Sequence, residues 1–195
     1  MGLWGASDAD ESKPKNLTTA EKKQVYATTA GWVRESGNEN SGNDNTSAQP
    51  EVLVAIGGLT TLLGAATITS MEFITTVWDA SAGGTMQVRM RWNEAVDVVE
   101  VGSGLKIILQ RTPDGGSAAS HTMRYASGTG TNELVFSLAI AGGSPVAADD
   151  VFNFVAQSCV KAGATTLFDA GTSVVSEVAI SAAAALAAGT ITATA

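Results

Sequence analysis

Short apolar segments alternate with turn-forming segments along the chain from about residue 70 onward. In TMQVRMRW (85–92), apolar and polar residues alternate strictly, which is the period-2 pattern of a half-buried strand. The separators GSG, TPDGG, SGTGTN, AGGSP, KAG and DAG are rich in residues that favour turns. Short strands without a strong helical pattern between them predict an all-β fold, specifically a β-sandwich. Further strands are predicted over 52–56, 72–79, 96–101, 105–110, 121–126, 133–140, 151–158 and 174–180.

The first 50 residues show a different pattern, with no periodic apolar face. The segment GNENSGNDNTSAQP (37–50) has the composition of a solvated loop. Thr18 and Glu21 have the spacing of a capping box, which predicts a short helix that extends to Tyr26. The domain organisation predicted from these patterns is an extended N-terminal anchoring arm over 1–59, a linker over 60–71, the sandwich over 72–180 and an Ala-rich tail over 181–195. The tail segment SAAAALAAG (181–189) fits a helix by propensity and fits an irregular packed segment equally well.

Isolated large apolar residues stand out along the polar arm, and their spacing suits side chains that fill pockets on another surface. A tryptophan buried in a pocket is typically a dominant contributor to an interface. Two interpretations stay open: the residues dock on a neighbouring subunit, or they cluster against the chain's own domain. The predicted interface anchors are Trp4, Val25, Tyr26, Trp32 and Val33.

Composition and charge exclude several classes of function. The 195-residue chain has 19 acidic and 11 basic side chains, a net charge of −8, which argues against binding to nucleic acid. No apolar run has the length of about 20 residues that a membrane-spanning helix needs, so no membrane contact is expected. Cys159 and His121 are each the single residue of their type, which leaves no cysteine-based metal site and no acid–base set for an enzyme. We therefore expect a non-enzymatic protein with no cofactor.

The remaining candidates for chemistry have simpler interpretations. The glycine-rich SGTGTN (127–132) lacks the lysine of a phosphate-binding loop and predicts a hairpin turn. His121 and Cys159 are expected to pack as inward-facing strand residues. Carboxylates near turns supply the oxygen ligands that calcium prefers, but their spacing matches no calcium loop, so solvated turn residues are expected. These carboxylates belong to Asp97, Asp114, Asp149, Asp150 and Asp169.

Three segments, in order along the chain, resemble bacterial Ig-like repeats. They are RWNEAVDVV (91–99), RYASGTGTNELVF (124–136) and TTLFDAGTSVV (165–175), the last with Thr172 where the repeats carry Asn and with one residue fewer. The resemblance spans about residues 72–180 and implies an Ig-like sandwich.

Segments of the arm resemble the N-terminal regions of virion structural proteins from marine T4-like tailed phages of the cyanophage type. They are MGLWG, KPKNLTTAEKKQVYATTAGWV and EVLVAIGGL, within residues 1–59. The resemblance implies a virion structural protein with the major capsid protein or other virion proteins as partners, and a homo-oligomer in the particle. A head-decoration protein on the outer surface of the capsid is the leading expectation. The alternatives are a tail or fibre-attachment protein and a carbohydrate- or cell-surface-binding module.

Overall fold

The computed structural model describes residues 13–143, 145–170 and 172–195, and these residues form an all-β protein with three short helices. The predicted fold class is therefore confirmed at the level of all-β. Two apolar clusters lie within the described residues, a small one near the N-terminus and a large one formed by the later strands.

Residues 13–63 fold into a small unit that we call the N-terminal module. The predicted capping box starts its first helix: the Thr18 hydroxyl accepts a hydrogen bond from the Glu21 N–H at 3.3 Å, and the Glu21 carboxylate accepts one from the Thr18 N–H at 2.8 Å. The helix ends at Gln24, two residues before the predicted end, because the chain continues directly as a strand. The elements of the module are α1 (Thr19–Gln24), β1 (Val25–Thr28), β2 (Gly31–Arg34), β3 (Glu51–Ala55) and α2 (Leu59–Leu63).

The module replaces the expected extended arm over all of its described part, while residues 1–12 lie outside the described residues. Strands β1, β2 and β3 pair antiparallel in sequence order. Gly31 makes the tight approach of β2 to β3 possible, because a Cβ at this position would lie 2.0 Å from the Val54 carbonyl oxygen. The apolar side chains thereby gain partners inside the module, which an extended arm would not provide. This small core consists of Val25, Ala27, Trp32, Ile56 and Leu59.

The residues from 64 onward form a second unit, which we call the β-domain. Its longest strand runs over 17 residues and joins the segment 85–92 to the first part of 96–101, which the sequence pattern predicts as separate strands. The elements are β4 (Ile68–Phe73), β5 (Trp78–Asp79), β6 (Gly83–Val99), β7 (Leu105–Thr112), β8 (Ala119–Ser127), β9 (Thr131–Ala141), β10 (Val151–Asn153), β11 (Gln157–Ser158), β12 (Val160–Lys161), β13 (Thr166–Asp169), β14 (Ala179–Ile180), α3 (Ala182–Ala187) and β15 (Thr190–Thr194).

The described strands form one large curved sheet in the order β3-β2-β1-β6-β9-β8-β7-β10-β15-β5, with β4 and β13 also paired to β6 and β12 paired to β7. Strands β11 and β14 pair with each other in a separate two-stranded sheet. The Phe73 ring on β4 lies 5.1 Å, centroid to centroid, from the ring of Phe154, which follows β10. Four strands (β6, β9, β8 and β7) separate β4 from β10 along the sheet, so this contact requires the sheet to fold over onto itself. The inward-facing side chains therefore share one large core.

Three predicted strands are shorter in the structure because the backbone leaves the sheet. In 72–79, the N–H groups of Ile74 and Thr75 both donate to the Gln87 carbonyl, and the regular pairing of β4 ends there. Segment 151–158 is likewise divided into β10 and β11, and 174–180 retains only β14. SGTGTN is the predicted hairpin turn, between β8 and β9, with positive φ at Gly128 and Gly130.

The C-terminal segment 181–195 is an integral part of the β-domain and not a separate tail. Its first part is the helix α3, capped by the Ser181 hydroxyl, which accepts a hydrogen bond from the Ala184 N–H. Its last strand, β15, lies between β10 and β5 and pairs with both. Ile191 on this strand is 4% exposed and packs in the large core.

We predict that Ile191→Ala lowers the free energy of unfolding by about 2 to 5 kcal/mol, because it removes buried methyl groups and leaves a cavity. Leu186→Ala lies in the same segment and is the matched control, since Leu186 is 82% exposed and its truncation should change stability by less than about 0.5 kcal/mol. Chemical denaturation of the full chain measures both. Equal effects of the two variants would contradict the integral role of β15.

Candidate functional site

The described anchor residues lie inside the chain. Val25, Tyr26, Trp32 and Val33 are at most 2% exposed, so they cannot serve as exposed docking anchors in this conformation. Trp4 lies outside the described residues. Of the two interpretations that the sequence leaves open, this placement matches packing against the chain's own structure. The physical reason is that β1 and β2 pair, which lets the side chains cluster locally.

Tyr26 is one of the predicted anchor residues, and its side chain is buried and bonded within the module. Its hydroxyl donates a hydrogen bond to the Glu35 carboxylate. Burial, together with this acceptor and its negative charge, raises the pKa of Tyr26 well above its usual value. The side chain is therefore a neutral, internally bonded group.

The exposed edge of the module is strand β3. It pairs with β2 on one side, and within the described residues no strand pairs with its other side. Val52 on this strand is 50% exposed. An unpaired strand edge offers backbone N–H and C=O groups to a strand of another chain.

A depression of about 320 Å³ lies beside this edge. Apolar side chains contribute most of its lining, and the loop that leads into β3 closes one end. We call the depression and the strand edge together the β3 groove. Its lining residues are Thr28, Ala30, Val33, Gln49, Pro50 and Val52.

The loop before β3 is held by local hydrogen bonds in spite of its polar composition. The Asn43 side-chain oxygen accepts from the Asn45 N–H, and the Asn45 side-chain oxygen accepts from the Ser47 N–H, both at 3.0 Å. The Ser36 hydroxyl bonds the Gln49 carbonyl at 2.8 Å, where the loop returns to the strand. These Asx turns position one wall of the β3 groove.

The module covers the polar face of β4, β6 and β9 through charged side chains. Arg91 on β6 donates to Glu72 on β4 at 2.6 Å and to Glu133 on β9 at 2.9 Å, although Arg91 is only 6% exposed. Lys23 of α1 lies 3.6 Å from Glu72 and ties the module to this network. Burial by itself would raise the pKa of Glu72, but the neighbouring cations, Arg91 above all, hold it below its usual value.

A polar cleft of about 240 Å³ lies where the module meets the β-domain. Amide, hydroxyl and carboxylate groups from both units line it, and the Arg91 network forms part of its wall. These groups can donate and accept hydrogen bonds to a polar ligand. Its polar lining includes Gln24, Glu35, Asn38, Arg91, Thr131 and Glu133.

The single histidine and the single cysteine of the chain pack against other parts of the β-domain. His121 packs beside the Phe152 ring at 6.2 Å, and burial with the nearby charge of Arg111 lowers its pKa. Burial raises the pKa of the Cys159 thiol to about 12, which leaves a neutral, inert side chain. In the described ranges, no three His, Cys, Asp or Glu side chains come together as a metal cluster.

Asp150, one of the candidate calcium ligands, has a carboxylate that is already bound by other groups of the protein. Its buried carboxylate accepts hydrogen bonds from Arg111 at 2.7 Å, from the Ala147 N–H at 3.0 Å and from the Asp114 N–H at 3.3 Å. Burial alone would raise the pKa of Asp150, but these donors hold it below its usual value. The carboxylate therefore joins two loops and does not face an open ligand site.

Comparison with known proteins gives no relatives: no family model, no curated protein and no solved structure matches the chain. None of the helices in the described ranges has both the length and the apolar content to cross a membrane.

We predict that Asp150→Asn destabilises the protein by about 3 kcal/mol near pH 7, because it leaves the buried Arg111 charge without its partner. Since the pKa of Asp150 is lowered on folding, this stabilisation is present above the unfolded pKa of about 4 and is lost as the pH falls through the folded value. Denaturant unfolding at several pH values measures it.

The neighbouring Asp149→Asn is the matched control. Asp149 is exposed and has φ of 65°, a left-handed conformation that Asn also tolerates. Its stability should change by less than about 0.5 kcal/mol. If Asp150→Asn also changed the free energy of unfolding by less than about 0.5 kcal/mol, this would show that the Asp150–Arg111 pair does not hold the loops together.

Proposed function

We propose that this protein is a non-enzymatic structural subunit of a phage virion. The N-terminal module attaches to a neighbouring virion protein through the β3 groove, and the β-domain, as an Ig-like domain, is displayed. The observation that carries the proposal is the edge of β3 with which no described strand pairs. This strand belongs to EVLVAIGGL, one of the segments that resemble virion proteins. Strand addition at this edge supplies main-chain hydrogen bonds, and the adjoining depression accepts apolar side chains.

Within this proposal, the preferred role is decoration of the outer surface of the head, with the major capsid protein as the partner. The net charge of −8 supports an outer location, because packaged DNA phosphates would repel the protein from the interior. A tail or fibre-attachment role is the alternative in the same class. A homo-oligomer in the particle follows from the repeated lattice to which such subunits attach.

Labelling of the protein in intact particles distinguishes these locations. Gold-labelled antibody against the β-domain should mark the outer surface of heads. Label confined to tails would contradict the decoration role and favour the alternative, and unlabelled particles would contradict a virion role altogether.

We predict that Val52→Lys weakens attachment to particles that lack the protein by about tenfold or more, because a charge on the strand edge opposes strand addition. Val77→Lys is the matched control, since Val77 is 79% exposed and lies on the β-domain, between β4 and β5. Cosedimentation with particles measures both variants, and unchanged unfolding transitions confirm that both are folded. Equal attachment of the two variants would place the docking surface elsewhere.

The polar cleft between the module and the β-domain favours a second candidate, a carbohydrate-binding module. Its amides, hydroxyls and carboxylates are the groups that bind sugar hydroxyls, although no aromatic side chain lines it. Glycan-array binding by the full chain that is lost in Asn38→Ala would support this candidate, and absence of glycan binding would exclude it for the glycans tested.

A further inference from the structure

Glu94 is a buried acidic residue at the contact between the module and the β-domain. It lies in the part of β6 where the register with β9 shifts, between Arg91 and Val96, and it forms a parallel bridge with Ala27 of β1. Only 1% of Glu94 is exposed. Both carboxyl oxygens are buried, and neither has a hydrogen-bond partner among the described residues. A buried charge in such a place would be costly, because nothing replaces its hydration.

The second carboxyl group at this position belongs to Asp169 on β13. It is 2% exposed, and its carboxylate accepts hydrogen bonds from the Ala66 N–H and the Ser176 hydroxyl, both at 2.8 Å. Asp169 is thereby provided with donors, whereas Glu94 has none. Burial and, to a smaller extent, the negative charge of Asp169 raise the pKa of Glu94 to about 8.

The connection between the two units passes directly over this pair. Ala66, which donates to Asp169, belongs to the segment 64–67 that joins the module to β4. The next residue, Thr67, exchanges hydrogen bonds with Asn93: its N–H donates to the Asn93 side-chain oxygen, and its carbonyl accepts from the Asn93 N–H. Asn93, which precedes Glu94 in sequence, and Asp169, which lies near it in space, are thus the residues that bind the connecting segment 64–67.

Other ionisable groups on the strands in contact with β6 have partners of their own. The carboxylates of Glu72 on β4 and Glu133 on β9 bind arginines, and that of Asp79 on β5 accepts hydrogen bonds from turn N–H groups. The ionisable group on β1 is the hydroxyl of Tyr26, which is bonded to Glu35. Asp169 on β13 is the group whose charge acts on Glu94. The bound groups are Glu72, Glu133, Asp79 and Tyr26.

We propose that Glu94 is a proton-controlled latch between the N-terminal module and the β-domain. Its neutral carboxyl is buried against β1 at a lower cost in free energy than the charged form, and loss of the proton in mildly alkaline solution places a second negative charge beside Asp169. The repulsion and the need for hydration then loosen β1 and the connecting segment from β6. This inference is independent of the virion role.

A bound cation would also neutralise Glu94, but the observations favour the proton. Asp169 already accepts hydrogen bonds from an amide and a hydroxyl, and the described residues bring no third His, Cys, Asp or Glu ligand to the pair. Divalent calcium normally takes about six to eight oxygen ligands.

The direction of the pH effect follows from the two states of Glu94. In the unfolded chain the group ionises near its ordinary pKa of about 4.3. In the folded protein the pKa is about 8, so the folded state holds one additional proton between these values. Stability therefore falls as the pH rises through this window and levels off above it. The opening or unfolding equilibrium constant should increase by up to about tenfold per pH unit within the window.

The test compares the full chain with Glu94→Gln, which keeps the shape of the side chain and cannot ionise. Hydrogen exchange of β1 and β2 is measured between about pH 6 and about pH 8.5, with β9 as the internal reference. The wild type should lose protection in β1 and β2 by about tenfold or more relative to Glu94→Gln, and in both proteins β1 and β2 should exchange faster than β9. Glu39→Gln removes an exposed carboxylate from the same module and should behave as the wild type.

Each of the following outcomes would contradict the proposed latch. An equal pH response of the wild type and Glu94→Gln would show that Glu94 does not titrate in this window. Equal protection of β1, β2 and β9 at every pH would show that the opening is global and not at the contact. Restoration of protection at high pH by calcium, and not by lowering the pH, would replace the proton by a cation. If Glu94→Gln does not fold, Glu94→Met is the second neutral variant, with the same expected result.

Discussion

The structure depends on how β6 is paired along its 17 residues. One edge pairs with β9, and the other pairs first with β4 and then with β13. On the first edge, the register with β9 shifts between Arg91 and Val96. On the second edge, the pairing with β4 ends at Trp92 and the pairing with β13 begins at Val96. At that interruption, the backbone and side chain of Asn93 bond Thr67, and Glu94 bridges Ala27 of β1. The connecting segment and β1 occupy this position, which is why the N-terminal module lies where it does.

The two units are joined by a different kind of contact from the one that holds each of them together. Each unit has its own apolar cluster, whereas their junction consists of the charged network around Arg91, the Ala27–Glu94 bridge and hydrogen bonds to Asp169 and Asn93. Apolar burial is strong and insensitive to pH, while charged and hydrogen-bonded contacts respond to protonation and salt. The stability of the junction therefore depends on pH and salt, as does that of the Asp150–Arg111 pair within the β-domain.

For the proposed virion role, the structure moves the candidate docking surface from aromatic side chains to a strand edge. Buried Tyr26 and Trp32 build the hairpin that presents β3, so they act on attachment through the shape of the module. A strand edge recognises a partner largely through its backbone, with side-chain pockets adding selectivity. This kind of surface fits a subunit that adds to a pre-existing lattice.

The sequence by itself determined the elements whose signals are local. The alternation in 85–92 identified a strand of β6, the Thr18–Glu21 spacing identified the start of α1, and SGTGTN identified the β8–β9 hairpin, because each pattern depends on neighbouring residues. Burial at the N-terminus and the role of 181–195 were decided only by the tertiary structure. The few apolar residues of the module have no periodic face, and β15 is stabilised by pairing with strands distant in sequence, so no local signal indicates either. The proximity of Glu94 and Asp169 likewise has no signal in the sequence, since 75 positions separate two buried carboxyl groups that the pairing of β6 with β13 brings near each other.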